Sequence, residues 1–248
     1  MWAFRYVEAM PELDARAEQH LADYAADVQR ALGERCLGVV LYGSAAGIDW
    51  VSGTSDFNTV IMLHRASVEA LNALAPVIRR WRARGFALPI VLDGQQVEHA
   101  RQLFPMELDD IKHQHRLLAG QDPFAILQSD EAALQRECAQ EAFGKLLRLR
   151  AFYLEHRDEP AALARMMVES VKSFLIVARH LLRLRGEPVP AGYDEALSAG
   201  ERSVGALPAM RRVLTARAAA DHAGLEQVAA AYVDDVERLV AAVTVYCV

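Results

Sequence analysis

Two short apolar segments, separated by a loop, constrain the fold of this chain more than any other feature of its sequence. The first segment, Leu37–Tyr42, contains two adjacent valines, and the pair Gly43-Ser44 follows it directly. After eleven intervening residues, the second segment, Asp56–Leu63, begins with the triplet Asp-Phe-Asn. Segments of this length and composition are typical of strands buried in a sheet. We therefore expect two strands joined by a loop that starts with a glycine and ends at an acidic residue.

The rest of the chain divides into a part with mixed periodicity and a part that is helical throughout. In the first part, apolar spacing predicts helices over residues 11–32, 67–84 and 95–102, and strands over residues 87–92 and 104–111. Beyond residue 128 strand formers are few, and helices are predicted over residues 129–155, 160–185 and 225–246, with a further helix, continuous or broken, over residues 193–207. We expect an α+β chain, with a small mixed-sheet domain over residues 1–128 followed by an all-α helical bundle over residues 129–248.

The residues that flank the loop carry groups suited to bind a phosphate chain and a metal ion. A glycine lets a ligand approach the backbone closely, and consecutive N–H groups in a turn stabilise anionic oxygens. Because side chains alternate along a strand, Asp56 and Asn58 are expected on the same side. An aspartate and an asparagine can together hold Mg²⁺, although the asparagine brings no charge. The pattern therefore predicts an oxygen-donor site beside a phosphate-binding turn.

An apolar strand, Gly-Ser, a loop of this length and Asp-x-Asn together resemble the signature of the nucleotidyltransferase superfamily, whose usual pattern ends in Asp-x-Asp. The whole layout is similar to that of uncharacterised bacterial nucleotidyltransferase-like proteins and of aminoglycoside nucleotidyltransferases, which join a small α/β domain to a helical one. The resemblance implies that Gly43, Ser44 and Ser55 contact the phosphates of a nucleoside triphosphate. It also implies that Asp56 and Asn58 hold Mg²⁺, with Asp56 as a catalytic residue.

The superfamily usually supplies a third carboxylate from a later strand, either as a metal ligand or as the base for the incoming hydroxyl. The segment expected to form that strand, Ala87–Leu92, is apolar throughout. Three acidic residues nearby are alternatives: Glu107 ranks first, Asp93 at the end of the apolar segment ranks second, and Asp109 ranks third. Glu107 is therefore the expected second catalytic residue.

Several residues outside the motif have two interpretations each. The chain contains three lysines and 24 arginines, and Lys145, near the start of the helical part, would either bind phosphate or belong to a solvated helix face. Trp50, in the loop, would either stack on a base or pack against the loop itself. His113 and His115 flank Gln114 without a third ligand at a recognisable spacing, which favours hydrogen-bonded or solvated histidines over a metal pair.

Composition excludes several classes of protein. The net charge is −6 and neither part of the chain is basic, so we expect no nucleic-acid partner. No uncharged apolar run approaches the roughly 20 residues of a membrane span, and the first ten residues lack the order of a signal peptide. Cys36, Cys138 and Cys247 stand singly, which is typical of a reduced compartment. The expectation is a cytoplasmic protein without a membrane partner.

The expected activity is Mg²⁺-dependent transfer of a nucleotidyl group from a nucleoside triphosphate to a hydroxyl-bearing acceptor, either a small molecule or a protein. The alternative is a catalytically degenerate nucleotidyltransferase fold that binds a nucleotide or a partner protein, because carboxylates are missing at two of the three expected positions. A third alternative is an antitoxin-like module that acts on a helical ribonuclease. The apolar run Leu239–Val248 is either a surface for a partner or a homodimer, or part of the bundle core.

Overall fold

The computed structural model describes residues 13–47, 50, 56–190 and 192–248. The chain divides into two compact units, the first ending at Asp130 and the second beginning at Glu131. The first unit contains helices and a sheet, whereas the regular elements described in the second unit are all helical. The α+β fold class expected from the sequence is therefore confirmed.

A four-stranded mixed sheet organises the first unit. Its strands are β1 (Cys36–Tyr42), β2 (Asn58–Leu63), β3 (Ile90–Asp93) and β4 (His115–Gly120), in the spatial order β3-β2-β1-β4. β1 is antiparallel to both β2 and β4, and β2 is parallel to β3. The two central strands are the apolar segments singled out in the sequence, and they are buried over most of their length.

Helices cover both faces of this sheet. The described ones are α1 (Ala15–Leu32), α2 (Val68–Arg82), α3 (Gly94–Leu103) and α4 (Pro105–His113). α1 and α2 begin at side-chain caps, because Asp14 accepts a hydrogen bond from the N–H of Ala17, and Ser67 accepts one from the N–H of Ala70. One apolar cluster joins α1 and α2 to one face of the sheet, and a second joins α3 and α4 to the other face.

The segment expected to be the fourth strand is a helix. Residues 104–111 lie mainly in α4, and the fourth strand is the following segment, β4. Pro105 occupies the first helical position, where its missing N–H is not needed and its fixed φ suits a helix. Leu108 and Ile111, three residues apart, then both face the core. Glu107 is therefore on a helix and not on a strand, and the strand prediction is wrong here.

β1 and β4 approach each other closely where two glycines pair. Gly38 and Gly120 are register partners in the antiparallel ladder. Gly120 has φ +77°, and a Cβ placed on it would lie 2.2 Å from the carbonyl oxygen of Leu37. A Cβ on Gly38 would lie 2.3 Å from the carbonyl oxygen of Gln121. Neither position has room for a side chain, so the pairing of β1 with β4 depends on glycine at this point.

The second unit is built around one central helix. The described helices are α5 (Glu131–His156), α6 (Pro160–Leu184), α7 (Tyr193–Val204), α8 (Pro208–Ala219) and α9 (Ala229–Cys247). α6 packs against each of the other four, and most of its residues are buried. Asp235 of α9 is buried and accepts hydrogen bonds from the N–H groups of Ala209 and Met210, over 2.8 and 3.1 Å. This carboxylate therefore satisfies the N-terminus of α8.

The helical unit differs from the expectation in one element. The helix predicted over residues 193–207 ends before Gly205, which has φ +85°, and Pro208 opens a further helix, α8, that the prediction missed. In the C-terminal run, Leu239, Val240 and Val243 are buried in the bundle, which supports the core interpretation for these residues. In the part of the chain that the structure describes, no helix is long and apolar enough to cross a membrane.

Candidate functional site

The loop after β1 begins with a tight turn that lies against β2. Gly43 has φ +75°, and Gly43–Ala46 form a 3₁₀ turn in which the N–H of Gly47 donates to the carbonyl oxygen of Ser44 over 3.1 Å. A Cβ placed on Gly43 would lie 3.3 Å from Nδ2 of Asn58. The structure therefore brings the Gly-Ser turn and the Asn58 amide together at one end of the two central strands.

Three strands contribute one residue each to a row at this end of the sheet. Tyr42, the last residue of β1, pairs with Asn58 on β2 and with His115 on β4. Directly opposed residues of antiparallel strands place their side chains on the same face. That face is the one covered by α3 and α4, because Tyr42 packs against their apolar cluster. Asn58, Tyr42 and His115 are thus neighbours on one face, next to the turn.

The acidic residue of the motif lies two positions before Asn58. Phe57 is only 5% exposed and pairs with Phe86, whereas Asp56 before it is exposed and Asn58 after it is half-buried. This alternation turns Phe57 toward the apolar cluster of α1 and α2, and Asp56 and Asn58 toward the opposite face of the sheet. Trp50 stacks on Phe57 with ring centroids 4.6 Å apart, which supports the packing interpretation of Trp50 over base stacking.

Glu107, the first-ranked third carboxylate, is exposed on the first turn of α4. Burial raises the pKa of the Tyr42 hydroxyl to about 12, and the negative charge of Glu107 adds to this shift. Leu108, the next residue of α4, belongs to the apolar cluster against which Tyr42 packs. Since Tyr42 directly precedes Gly43 in the chain and pairs with Asn58, α4 holds Glu107 on the face of the sheet that Tyr42 and Asn58 share.

A histidine–aspartate pair that the sequence analysis did not predict lies on the strand next to Tyr42. Nε2 of His115 is 3.0 Å from Oδ2 of Asp122, and Nδ1 is 3.1 Å from the carbonyl oxygen of Lys112. Burial raises the pKa of Asp122, but hydrogen bonds from His115 and from the N–H of Phe124 outweigh burial, so this pKa is lowered overall. The sequence feature that could have indicated Asp122 is Gly-Gln-Asp-Pro, residues 120–123. In such a turn the aspartate side chain accepts a hydrogen bond from the N–H two residues later.

The carboxylates of the other two candidates for the third acidic residue, Asp93 and Asp109, form hydrogen bonds with other parts of the first unit. Asp93 pairs with Leu63 at the far end of β2, roughly 16 Å along the strand from Asn58. Its carboxylate accepts hydrogen bonds at the N-terminus of α3 and therefore caps that helix. Asp109 is buried and accepts a hydrogen bond from the hydroxyl of Ser129 over 2.9 Å. Of the three alternatives, Glu107 is the one that is exposed, on a helix that packs against the same apolar cluster as Tyr42.

The strand that would supply a third carboxylate offers an apolar residue instead. Phe57 pairs with Phe86 and Val60 pairs with Ile90, so the segment beside Asn58 lies within residues 87–89, Ala-Leu-Pro, none of which has a side-chain oxygen. Leu88 is 64% exposed, although it is a leucine. A third oxygen ligand on this face would therefore have to come from another element, such as α4.

The remaining predicted residues have separate surroundings. Ser55 lies outside the described residues. Lys145 belongs to the second unit, on α5, where it forms an ion pair with Glu141 one turn earlier. His113 contacts the carbonyl oxygen of Asp109 through Nδ1 over 2.7 Å, so this ring, like that of His115, is hydrogen-bonded. Within the described ranges, no group of three or more His, Cys, Asp or Glu side chains could hold a metal ion.

The small mixed sheet, followed in sequence by a helical unit, has an aminoglycoside nucleotidyltransferase-like fold, as comparison with a solved structure indicates. The structure of spectinomycin adenyltransferase AAD(9) from Enterococcus faecialis, solved with ATP and spectinomycin, matches the chain with a TM-score of 0.55. The match covers 89% of this chain and 98% of that chain at 14% sequence identity, so the likeness is one of fold. No protein-family model and no curated protein matches the sequence.

Proposed function

We propose that the chain is a nucleotidyltransferase, which moves a nucleotidyl group from a nucleoside triphosphate to a hydroxyl group of an acceptor. The observation that carries the proposal is the proximity of the Gly43 turn to Asn58, with Asp56 two residues before Asn58 and Glu107 on the helix that packs against the face of Tyr42. The fold supports it, because the adenyltransferase that matches the chain was solved with ATP. Since one fold can serve many functions, the residues carry the argument and the fold is secondary.

In this proposal the turn binds the phosphates. A turn that begins with a positive-φ glycine presents successive N–H groups to an anion, and no side chain at Gly43 obstructs their approach. The hydroxyl of Ser44 adds a donor beside them. We also propose Ser55 as a phosphate contact because it belongs to the motif, and Lys145 because its side chain is positively charged.

Asp56 and Asn58 would hold Mg²⁺. The donor set fits this ion, because a carboxylate and an amide carbonyl are hard oxygen ligands and both side chains point away from the core beside Phe57. When bound, the ion would neutralise part of the charge on the triphosphate. Glu107 is proposed as the general base. It would accept the proton of the acceptor hydroxyl as that oxygen bonds to the α-phosphorus and pyrophosphate leaves.

The acceptor is proposed to be a small molecule or a protein and not a nucleic acid, because the net charge of the chain is −6. The same proposal takes residues 1–128 as the nucleotidyltransferase-like domain and residues 129–248 as the helical domain. The proposal also includes a cytoplasmic location and, as one option, a homodimer. Light scattering of the purified chain would measure the oligomeric state directly.

Calorimetric titration of the purified chain with ATP, CTP, GTP and UTP, each with and without Mg²⁺, tests the proposed function. We expect at least one nucleotide to bind with a dissociation constant of about micromolar order, and only in the presence of the metal. A positive result leads to a screen of acceptors with labelled nucleotide. Binding of none of the four would overturn the proposal and favour a degenerate fold that binds a partner protein.

Asn58→Asp is expected to tighten Mg²⁺ binding by about tenfold, because a second carboxylate beside Asp56 adds a charged ligand. The measurement is a titration of Mg²⁺ at a fixed concentration of the bound nucleotide. Asn72→Asp is a matched control, since Asn72 is exposed on α2 and its substitution adds the same charge to the same unit. An unchanged Mg²⁺ affinity in the Asn58 variant would show that this residue is not a metal ligand.

Gly43→Ala is expected to weaken nucleotide binding by at least about tenfold, because a Cβ at φ +75° strains the turn and crowds the Asn58 amide. The loss of stability should be only about 1 kcal/mol. Gly33→Ala is the control: Gly33 has φ +57°, no atom lies within 4 Å of its added Cβ, and it lies before the other end of β1. Equal nucleotide affinities in the two variants would show that the turn is not part of the nucleotide-binding site.

A further inference from the structure

A groove in the second unit lies between α5 and α6. Its volume is about 440 Å³, within the range of roughly 300–1,000 Å³ that small-molecule sites occupy. α5 contributes Lys145, Arg148 and Phe152 to its lining, and α6 contributes Arg165, Ser170 and Phe174. We call this cavity the α5–α6 groove.

The α5–α6 groove is positively charged in a chain whose net charge is −6. Lys145, Arg148 and Arg165 line it together with a single acid, Glu169. Lys145 is already paired with Glu141 within α5. Among the residues that the structure describes, neither Arg148 nor Arg165 forms a hydrogen bond or an ion pair. The N–H donors of two guanidinium groups are therefore available to a ligand.

The positions of these arginines differ from the usual pattern of a solvated helix face. Such arginines normally lie three or four residues from an acid on the same helix. Arg148 has no acidic residue at any of these positions on α5. Arg165 has Glu169 four residues later but does not pair with it. Local ion pairing thus leaves the positive charge of the groove unbalanced.

The floor of the groove is apolar and held in place by the helices beneath it. Met166 and Phe174 are buried, and Phe152 is half-buried. The hydroxyl of Ser170 lies 2.8 Å from the hydroxyl of Tyr232 on α9, a hydrogen bond that fixes the floor to the core of the unit. A flat apolar group could therefore be buried here without rearrangement of the bundle.

We propose that the α5–α6 groove binds a small molecule in which an anionic group is attached to an aromatic body. The two arginines would hold the anionic group, since guanidinium groups bind phosphate, sulfonate and carboxylate through paired N–H donors. The phenylalanines and the methionine would bury the aromatic body. This inference goes beyond nucleotidyl transfer and does not depend on it, because the two arginines that carry it, Arg148 and Arg165, have no role in the proposed nucleotide site.

The test uses the full chain and two fluorescent probes with the same ring system. 8-Anilino-1-naphthalenesulfonate carries a negative charge, and N-phenyl-1-naphthylamine is neutral. We expect the wild-type chain to bind the sulfonate at one site, and the double variant R148Q/R165Q to bind it at least about tenfold more weakly. The neutral probe should bind both proteins equally. The matched control R136Q/R157Q removes two exposed arginines of the same unit from outside the groove and should retain wild-type affinity.

Thermal unfolding of each variant shows whether it is folded, so a loss of binding can be assigned to the groove. The proposal is overturned if R148Q/R165Q binds the sulfonate as tightly as the wild type. It is also overturned if both double variants lose the same affinity, because the effect would then be one of net charge. Asp56→Ala should keep wild-type affinity for the sulfonate, so this test and the test of nucleotidyl transfer can fail separately.

Discussion

Asp56→Ala is expected to abolish Mg²⁺-dependent nucleotide binding within the range of the titration and to lower nucleotidyl transfer by at least about a hundredfold. The reason is that the proposed metal pair contains only one carboxylate. Asn58 supplies an amide oxygen without charge, and the segment beside it, residues 87–89, has no side-chain oxygen. Removal of Asp56 therefore removes all of the negative charge that this pair offers to a cation. The same calorimetric titration measures the effect.

The control for this substitution is Asp23→Ala, which removes one exposed carboxylate from α1 in the same unit. It should leave both nucleotide affinity and transfer unchanged. If Asp56→Ala binds nucleotide and Mg²⁺ like the wild type while the protein stays folded, Asp56 is not a metal ligand and the catalytic assignment is wrong. Glu107 alone would then not account for a metal-dependent site.

Gly120→Ala is expected to lower the free energy of unfolding by about 3 kcal/mol or more, as measured by chemical denaturation. Two effects combine at this position. A φ of +77° is strained for alanine, at a cost of about 1 kcal/mol. The new Cβ would also lie 2.2 Å from the carbonyl oxygen of Leu37, and backbone atoms of two paired strands cannot move apart without breaking the ladder.

Gly85→Ala separates these two effects. Gly85 has φ +87°, but a Cβ placed on it meets no atom within 4 Å. Its substitution should therefore cost only the backbone strain, about 1 kcal/mol. Equal losses of stability in the two variants would mean that β1 and β4 can separate at Gly120 without penalty, and that their close pairing contributes little to the first unit.

The elements that the sequence predicts best are those whose patterns are local. β1 and β2 are continuous apolar runs, and α1 and α2 combine helical spacing with the capping residues Asp14 and Ser67, so their positions follow from neighbouring residues alone. The position of the fourth strand does not follow from a local sequence pattern. β4 contains no fully buried residue and no two-residue alternation of burial, and its Arg116 forms a two-point ion pair with Glu18 of α1, 98 positions earlier in the chain. No local pattern indicates such a partner.

The candidate site likewise contains residues whose positions follow from a local motif and residues whose positions depend on distant contacts. The Gly-Ser turn and Asp-x-Asn lie within 16 residues, and one strand connection brings Gly43 to Asn58, so their proximity follows from the motif. The positions of Glu107 and of the His115–Asp122 pair depend on the packing of α4 and on the pairing of β4 with β1. Both depend on contacts between segments more than 60 residues apart, which periodicity does not report.

The central position of α6 has a consequence for how this protein can diverge in evolution. A buried residue of α6 that changes size affects a helix that packs on four others, so accepted changes there require compensating changes on its neighbours. Residues on the rim of the same helix, such as Arg165, face no such restriction. Related chains are therefore expected to keep the scaffold of this unit while they vary the charges around its groove, and with them the ligands that they select.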